Sequence, residues 1–140
     1  MTPPHIFRLF VVLSVTFGLA GVGVDFLFTG LLSPGLASAL ESEPSLGVVD
    51  EHPFIALAIL VPWLIAAFAG VVGIFLFKHW GRTLSLYSTT VGFFIAPFLG
   101  PVAGSGLSSA LDEASITLWG AALAMSYFSS ISERFEARNP

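Results

Sequence analysis

Phe54-Ile-Ala-Leu-Ala-Ile-Leu-Val-Pro-Trp-Leu-Ile-Ala-Ala-Phe-Ala-Gly-Val-Val-Gly-Ile-Phe-Leu-Phe77 holds no charged residue. A helix needs about 20 mostly apolar residues to cross a bilayer, and this run meets that length. It does not alternate, and it is too long and too rich in Leu, Ala and Gly for a membrane strand. The rest of the chain has the same character. Of its 140 residues, 55% are hydrophobic and 10% are charged, and the mean hydropathy is +0.90. Soluble domains carry about 25% charged residues. Five Lys or Arg and nine Asp or Glu cannot cover a water-exposed surface of this size. The expected fold class is all-α, an integral membrane four-helix bundle with the lipid bilayer as its solvent, formed as a single transmembrane domain over residues 1–140.

Three further apolar runs complete the expected spans, at about 7–31, 83–99 and 114–132 beside 54–77. The connections differ in charge. The loop 33–53 carries Glu41, Glu43, Asp50 and Glu51, and the loop 101–113 carries Asp112 and Glu113. All five bases lie elsewhere: Arg8 near the start, Lys78 and Arg82 in a tight turn, and Arg134 and Arg138 in the tail. The positive-inside rule makes the basic face cytoplasmic. Both termini are therefore expected inside the cell and both acidic loops outside it. Gly18-Leu19-Ala20 offers small residues of the kind a signal peptidase cleaves, but Gly21 to Leu32 stays apolar, so the first run reads as an uncleaved span.

Span boundaries carry matching chemistry. Asp50-Glu51-His52-Pro53 precedes the second span, and Ser109 with Asp112 resembles a capping box before the fourth. Trp80 and Tyr127 suit the cytoplasmic interface, whereas Trp63 and Trp119 lie deeper. The words Gly35-Leu-Ala-Ser-Ala-Leu-Glu41 and Gly106-Leu-Ser-Ser-Ala-Leu-Asp112 are alike, each suiting a short amphipathic turn on the outer leaflet. They raise the reading of two tandem helical hairpins, against chance recurrence of common residues.

Several chemistries have no footing. Without cysteine there is no disulfide, thiolate metal site or Cys nucleophile. No basic cluster supports nucleic-acid binding, and no phosphate loop, HExxH or GxSxG motif occurs. His5, His52 and His79 lie in polar flanks, where inward-facing cofactor ligands are not expected. Neither catalytic, metal nor cofactor-binding residues are assigned, and no cofactor is expected.

Asp25 is the sole ionisable group well inside a span, which makes it the intramembrane candidate. It lies roughly 25 Å along the helix from Arg8 at 1.5 Å per residue, close to the outer boundary, so an interfacial acid competes with a proton or cation acceptor. Ser85, Tyr87, Ser88, Thr89 and Thr90 make the first half of the third span polar. Tyr87, Ser88, Thr89 and Trp119 are the candidate lining of any cavity there, against the reading that the hydroxyls bond back to their own helix. Gly18, Gly70, Gly73 and Gly120 fall in small-residue pairs four apart, the pattern of close helix packing or of a homodimer. Pro62 is expected to kink the second span.

Phe77-Lys-His-Trp-Gly-Arg82, taken with Leu118-Trp-Gly-Ala-Ala-Leu-Ala-Met-Ser-Tyr-Phe-Ser129 and Glu133-Arg-Phe135, resembles a loose group of small four-span bacterial inner-membrane proteins of unknown function. The resemblance covers the C-terminal half, and Ser130 stands where that group often has proline. It implies a bacterial plasma-membrane location and transfers no site residue. Three functions remain in order. The first is a non-enzymatic structural, assembly or accessory component that binds another membrane protein. The second is a small proton- or cation-coupled transporter or channel using Asp25 and the polar third span. The last is a membrane enzyme, for which no nucleophile, base pair or metal set is visible.

Overall fold

The computed structural model describes residues 3–27, 52–98 and 104–136, with Gly35 and Ser38 as isolated positions. Five helices are bounded among these residues and no strand occurs among them. They are α1 (Pro3–Leu27), α2 (Pro53–Phe75), α3 (His79–Ile95), α4 (Gly106–Phe128) and α5 (Ser132–Glu136), with a 3-10 turn over Ala96–Phe98 after α3. Most of the expected loop 33–53 lies outside the described residues.

Two of the helices are long and apolar enough to cross a membrane: Pro4–Val24 within α1, at mean hydropathy 2.0, and all of α2, at 2.6. The other two long helices differ in ways the apolar pattern alone does not reveal. α3 has 17 residues, about 25 Å at 1.5 Å per residue, short of the ~30 Å hydrocarbon core. α4 begins at Gly106 and carries Asp112 and Glu113 inside its second turn.

The start of α4 corrects the expected loop 101–113. Ser105, not Ser109, is the N-cap, and its Oγ accepts from the Ser108 N–H at 3.2 Å. That bond satisfies one of the unpaired N–H groups of a first helical turn. Gly106 to Asp112 are therefore helical residues of α4 rather than a turn preceding it.

The expected basic turn 78–82 is corrected as well. α2 ends in a Schellman arrangement: the Phe77 N–H donates to the Ile74 carbonyl at 3.1 Å and the Lys78 N–H to the Gly73 carbonyl at 2.8 Å. Phe77 takes the left-handed position, φ 55°, where glycine is usual. Its ring is buried, so the backbone cost is offset by packing. His79 is already helical, and Gly81 and Arg82 belong to α3. α2 continues as one helix across Pro62.

The helices pair as α1 with α4 and α2 with α3, while α1 with α2 and α3 with α4 touch sparsely. A self-contained α1–α2 hairpin is thus not a packing unit. α1 reaches across the fold to the last long helix. Small residues explain both pairings. A Cβ at Gly18 would meet Ser115 Oγ at 3.0 Å, and one at Gly21 would meet Asp112 Oδ1 at 2.5 Å. A Cβ at Gly70 would meet Ser85 Oγ at 2.7 Å, and Gly73 and Gly81 face each other backbone to backbone. Dispersion contacts at such short range are what hold helices together where apolar burial is not the driving force.

The core gathers at the end where α1 starts and α2 and α4 stop. Phe7, Val11, Ile74, Phe77, Ala122, Leu123, Ile131 and Phe135 form one buried cluster. At its centre three rings meet: Phe7 and Phe77 at 5.3 Å, Phe77 and Phe135 at 5.4 Å, and Phe7 and Phe135 edge-on at 6.0 Å. Aromatic pairs at these separations add about 0.5–1.5 kcal/mol each beyond area burial.

Candidate functional site

The buried face of α3 is made of Gly81, Arg82, Ser85 and Ser88. Residues three and four apart share a helix face, so the arginine and the two serines line up towards the interior. Arg82 is 8% exposed. Its Nη1 donates to the Ser126 carbonyl at 3.1 Å. Its guanidinium lies 4.7 Å over the Tyr127 ring and 5.6 Å over the Phe135 ring.

This environment accounts for a buried cation with no carboxylate beside it among the described residues. Ser126 lies in the last turn of α4, where carbonyls have no intrahelical partner and the helix dipole presents its negative end. Arg82 therefore acts as a C-cap supplied by a neighbouring helix, and two aromatic faces supply the rest of its stabilisation. Ser126 Oγ donates to the Leu123 carbonyl at 2.7 Å, and Ser129 Oγ to the Met125 carbonyl at 2.6 Å, so the end of α4 is closely satisfied. Arg82 Nε and Ser85 Oγ are buried without a partner. Each such group costs about 1–3 kcal/mol.

The predicted cavity residues diverge. Tyr87 is exposed and borders a shallow surface groove with His79, Trp80, Thr83 and Leu84. Ser88 is buried; its Oγ donates to the Ser85 carbonyl at 3.2 Å, and its own carbonyl accepts from Trp63 Nε1 at 2.8 Å. Thr89 and Trp119 do meet, with the indole Nε1 donating to Thr89 Oγ1 at 2.9 Å. Positions 87, 88 and 89 are about 100° apart around a helix of 3.6 residues per turn, which separates them. Thr83 and Thr90 donate to the carbonyls of His79 and Leu86, the back-bonding usual for helical hydroxyls.

Asp25 stands two residues before the end of α1, one turn beyond Gly21, and its side chain lies outside what the structure describes. Of the four packing glycines, Gly18, Gly70 and Gly73 sit at helix contacts. At Gly120 a Cβ would meet nothing within 4 Å, so this glycine makes no close helix contact within the chain. His5, His52 and His79 are all exposed.

Arg82 was legible only as a topology marker. The signal for its second role is its spacing to Ser85 and Ser88, which puts it on the polar stripe rather than in the turn. Compared with known proteins, the chain matches no family model, no curated protein and no solved structure.

Proposed function

We propose that the chain is a four-span protein of a bacterial inner membrane, acting as a non-enzymatic structural, assembly or accessory component. The observation that carries the membrane part is α2. It is the most apolar helix, yet only 11% of its most apolar stretch is buried within the chain. Phe54, Leu57, Leu64, Ile65 and Phe68 all point outward. A core helix of a soluble domain would hide this face, and a monomer in water rarely shows so large an apolar patch. Lipid is the solvent that covers it at no cost.

The four-span reading takes α3 with its 3-10 turn as the third span and α4 as the fourth, with Asp112 and Glu113 at the outer interface. The cytoplasmic placing of both termini is supported by the Phe7–Phe77–Phe135 contact. It draws the start of α1, the α2–α3 turn and α5 to one end, and all five bases lie in or next to these segments. The accessory role is supported by how Arg82 Nη1, Thr83, Ser88, Thr89 and Thr90 of α3 are spent on a helix cap, back-bonds and an interhelix bond.

Sodium carbonate extraction tests the membrane part: the chain stays in the membrane pellet, and release into the supernatant overturns it. A phosphatase reporter fused after Pro140 tests orientation, since it is active only outside the cytoplasm and is expected to be silent. Gentle purification tests the role. A stoichiometric membrane-protein partner supports it, whereas proton flux in liposomes that Asp25→Asn abolishes replaces it with transport.

A further inference from the structure

Between α1 and α2 runs a groove of about 300 Å³, lined by Val11, Val12, Val15 and Thr16 on one side and Val71, Val72, Phe75 and Leu76 on the other. It exists because the glycine contacts pull the two helices apart in pairs, α1 onto α4 and α2 onto α3, so that α1 and α2 touch only sparsely. Its one hydroxyl, Thr16 Oγ1, donates to the Val12 carbonyl at 2.8 Å. No polar group of the lining is left to attract water or a polar ligand.

The mouth is different. Arg8 lies one turn before Val11 and Val12 on α1, and its guanidinium stacks 5.2 Å from the Phe75 ring and 5.1 Å from the Phe77 ring. Phe75 is itself a groove wall. Arg8 is exposed, and no carboxylate among the described residues pairs with it. An apolar slot open along its length, ending at an unpaired cation held over aromatic faces, is the complement of an acyl chain attached to an anionic headgroup.

We propose that this groove is a binding site for an anionic phospholipid, with one acyl chain along the valines and the headgroup phosphate on Arg8. The proposal rests on the membrane reading above. A chain in the bilayer cannot keep such a slot empty, and the open side faces where lipid would be. A guanidinium resting over two rings keeps N–H donors for phosphate oxygens. The site sits at the end expected to be cytoplasmic, where the inner leaflet carries anionic lipid.

Native mass spectrometry of detergent-purified full chain titrated with dioleoyl phosphatidylglycerol, and separately with dioleoyl phosphatidylcholine, tests it. The natural sequence is expected to prefer phosphatidylglycerol. Arg8→Gln lowers that preference about fivefold, the weight of one cation at an anionic surface, and Arg8→Lys restores most of it. Val12→Trp fills the slot and lowers binding of both lipids, while Val22→Trp, outside the groove on the same helix, changes neither. Equal binding of the two lipids by the natural sequence, or an unchanged preference in Arg8→Gln, overturns the proposal. So does efficient disulfide cross-linking of Val12→Cys between copies, which would put a second chain in the slot. If the variants remain carbonate-resistant while lipid preference is absent, the lipid site alone fails. If the chain leaves the membrane fraction, the membrane reading fails with it.

Discussion

Arg82 on α3 donates to the carbonyl of Ser126 on α4 at 3.1 Å, a bond that ties the helix pair α2–α3 to the end of the pair α1–α4. Contacts between α3 and α4 are otherwise few. The guanidinium also lies against Phe135 of α5, so one buried cation links its own helix to two others.

Arg82→Ala is expected to lower stability by about 2–4 kcal/mol, the sum of a charge-assisted hydrogen bond and buried cation–π contact. Arg82→Met keeps most of the packing and carries no charge to satisfy, so its loss is less than half as large. Thermal unfolding in a mild detergent reads both. A loss for Arg82→Ala within experimental error of zero would contradict the capping role.

Gly81→Ala and Gly120→Ala should differ in sign. At Gly81 a methyl group collides with the backbone of Gly73, whereas at Gly120 it enters open space. Gly120→Ala gains about 0.5–1 kcal/mol of helix propensity. Gly81→Ala forces α2 and α3 apart and costs more than that gain. Melting temperatures of the two variants, measured side by side, check the contrast.

Phe77 offers a test of backbone conformation independent of packing. Phe77→Ala and Phe77→Gly both remove the ring from the aromatic cluster, at about 3–5 kcal/mol. Only glycine suits φ 55°, so Phe77→Gly should be the milder by about 1 kcal/mol. In a helix interior the order would be reversed, and that order here would rule out the left-handed turn.

The Thr89–Trp119 bond predicts a coupling. Trp119→Phe and Thr89→Val each remove one partner of the 2.9 Å bond. A double-mutant cycle in detergent should give about 0.5–1.5 kcal/mol of interaction. Additive losses would show that the two side chains do not meet in solution.

Helices were legible wherever hydrophobic runs were long and uncharged. The apolar block before Phe77 matches α2 within a residue or two, because a run this long with no charge and no turn cluster forms one helix even across Pro62. Boundaries set by hydrogen bonds were not legible. Ser105 begins α4 four residues before the serine that resembled a cap: Ser109 has Asp112 three residues on, Ser105 has only Ser108 there, and its capping bond to the Ser108 N–H shows only in the geometry. Gly81 and Arg82 looked like turn residues because glycine and a base commonly end helices. The backbone bond from Lys78 to Gly73 closes the turn sooner, and the helix then needs a glycine at its contact with Gly73. Gly120 carries the same four-residue spacing to a small residue as Gly70 does to Ala66, and faces outward. Spacing defines a face, but the partner helix decides whether that face is used.

From the sequence alone come the apolar character of the chain, its helical runs and the segregation of its acids from its bases. All three are one-dimensional properties, set by transfer free energy and by where charges fall along the chain. Tertiary structure decided which helices touch and what Arg82 does. Those outcomes depend on close approach at glycines far apart in sequence, and on an unpaired carbonyl at the end of α4 that happens to face a guanidinium. Neither is encoded in any local pattern, because each is a distance between segments that the chain brings together only on folding.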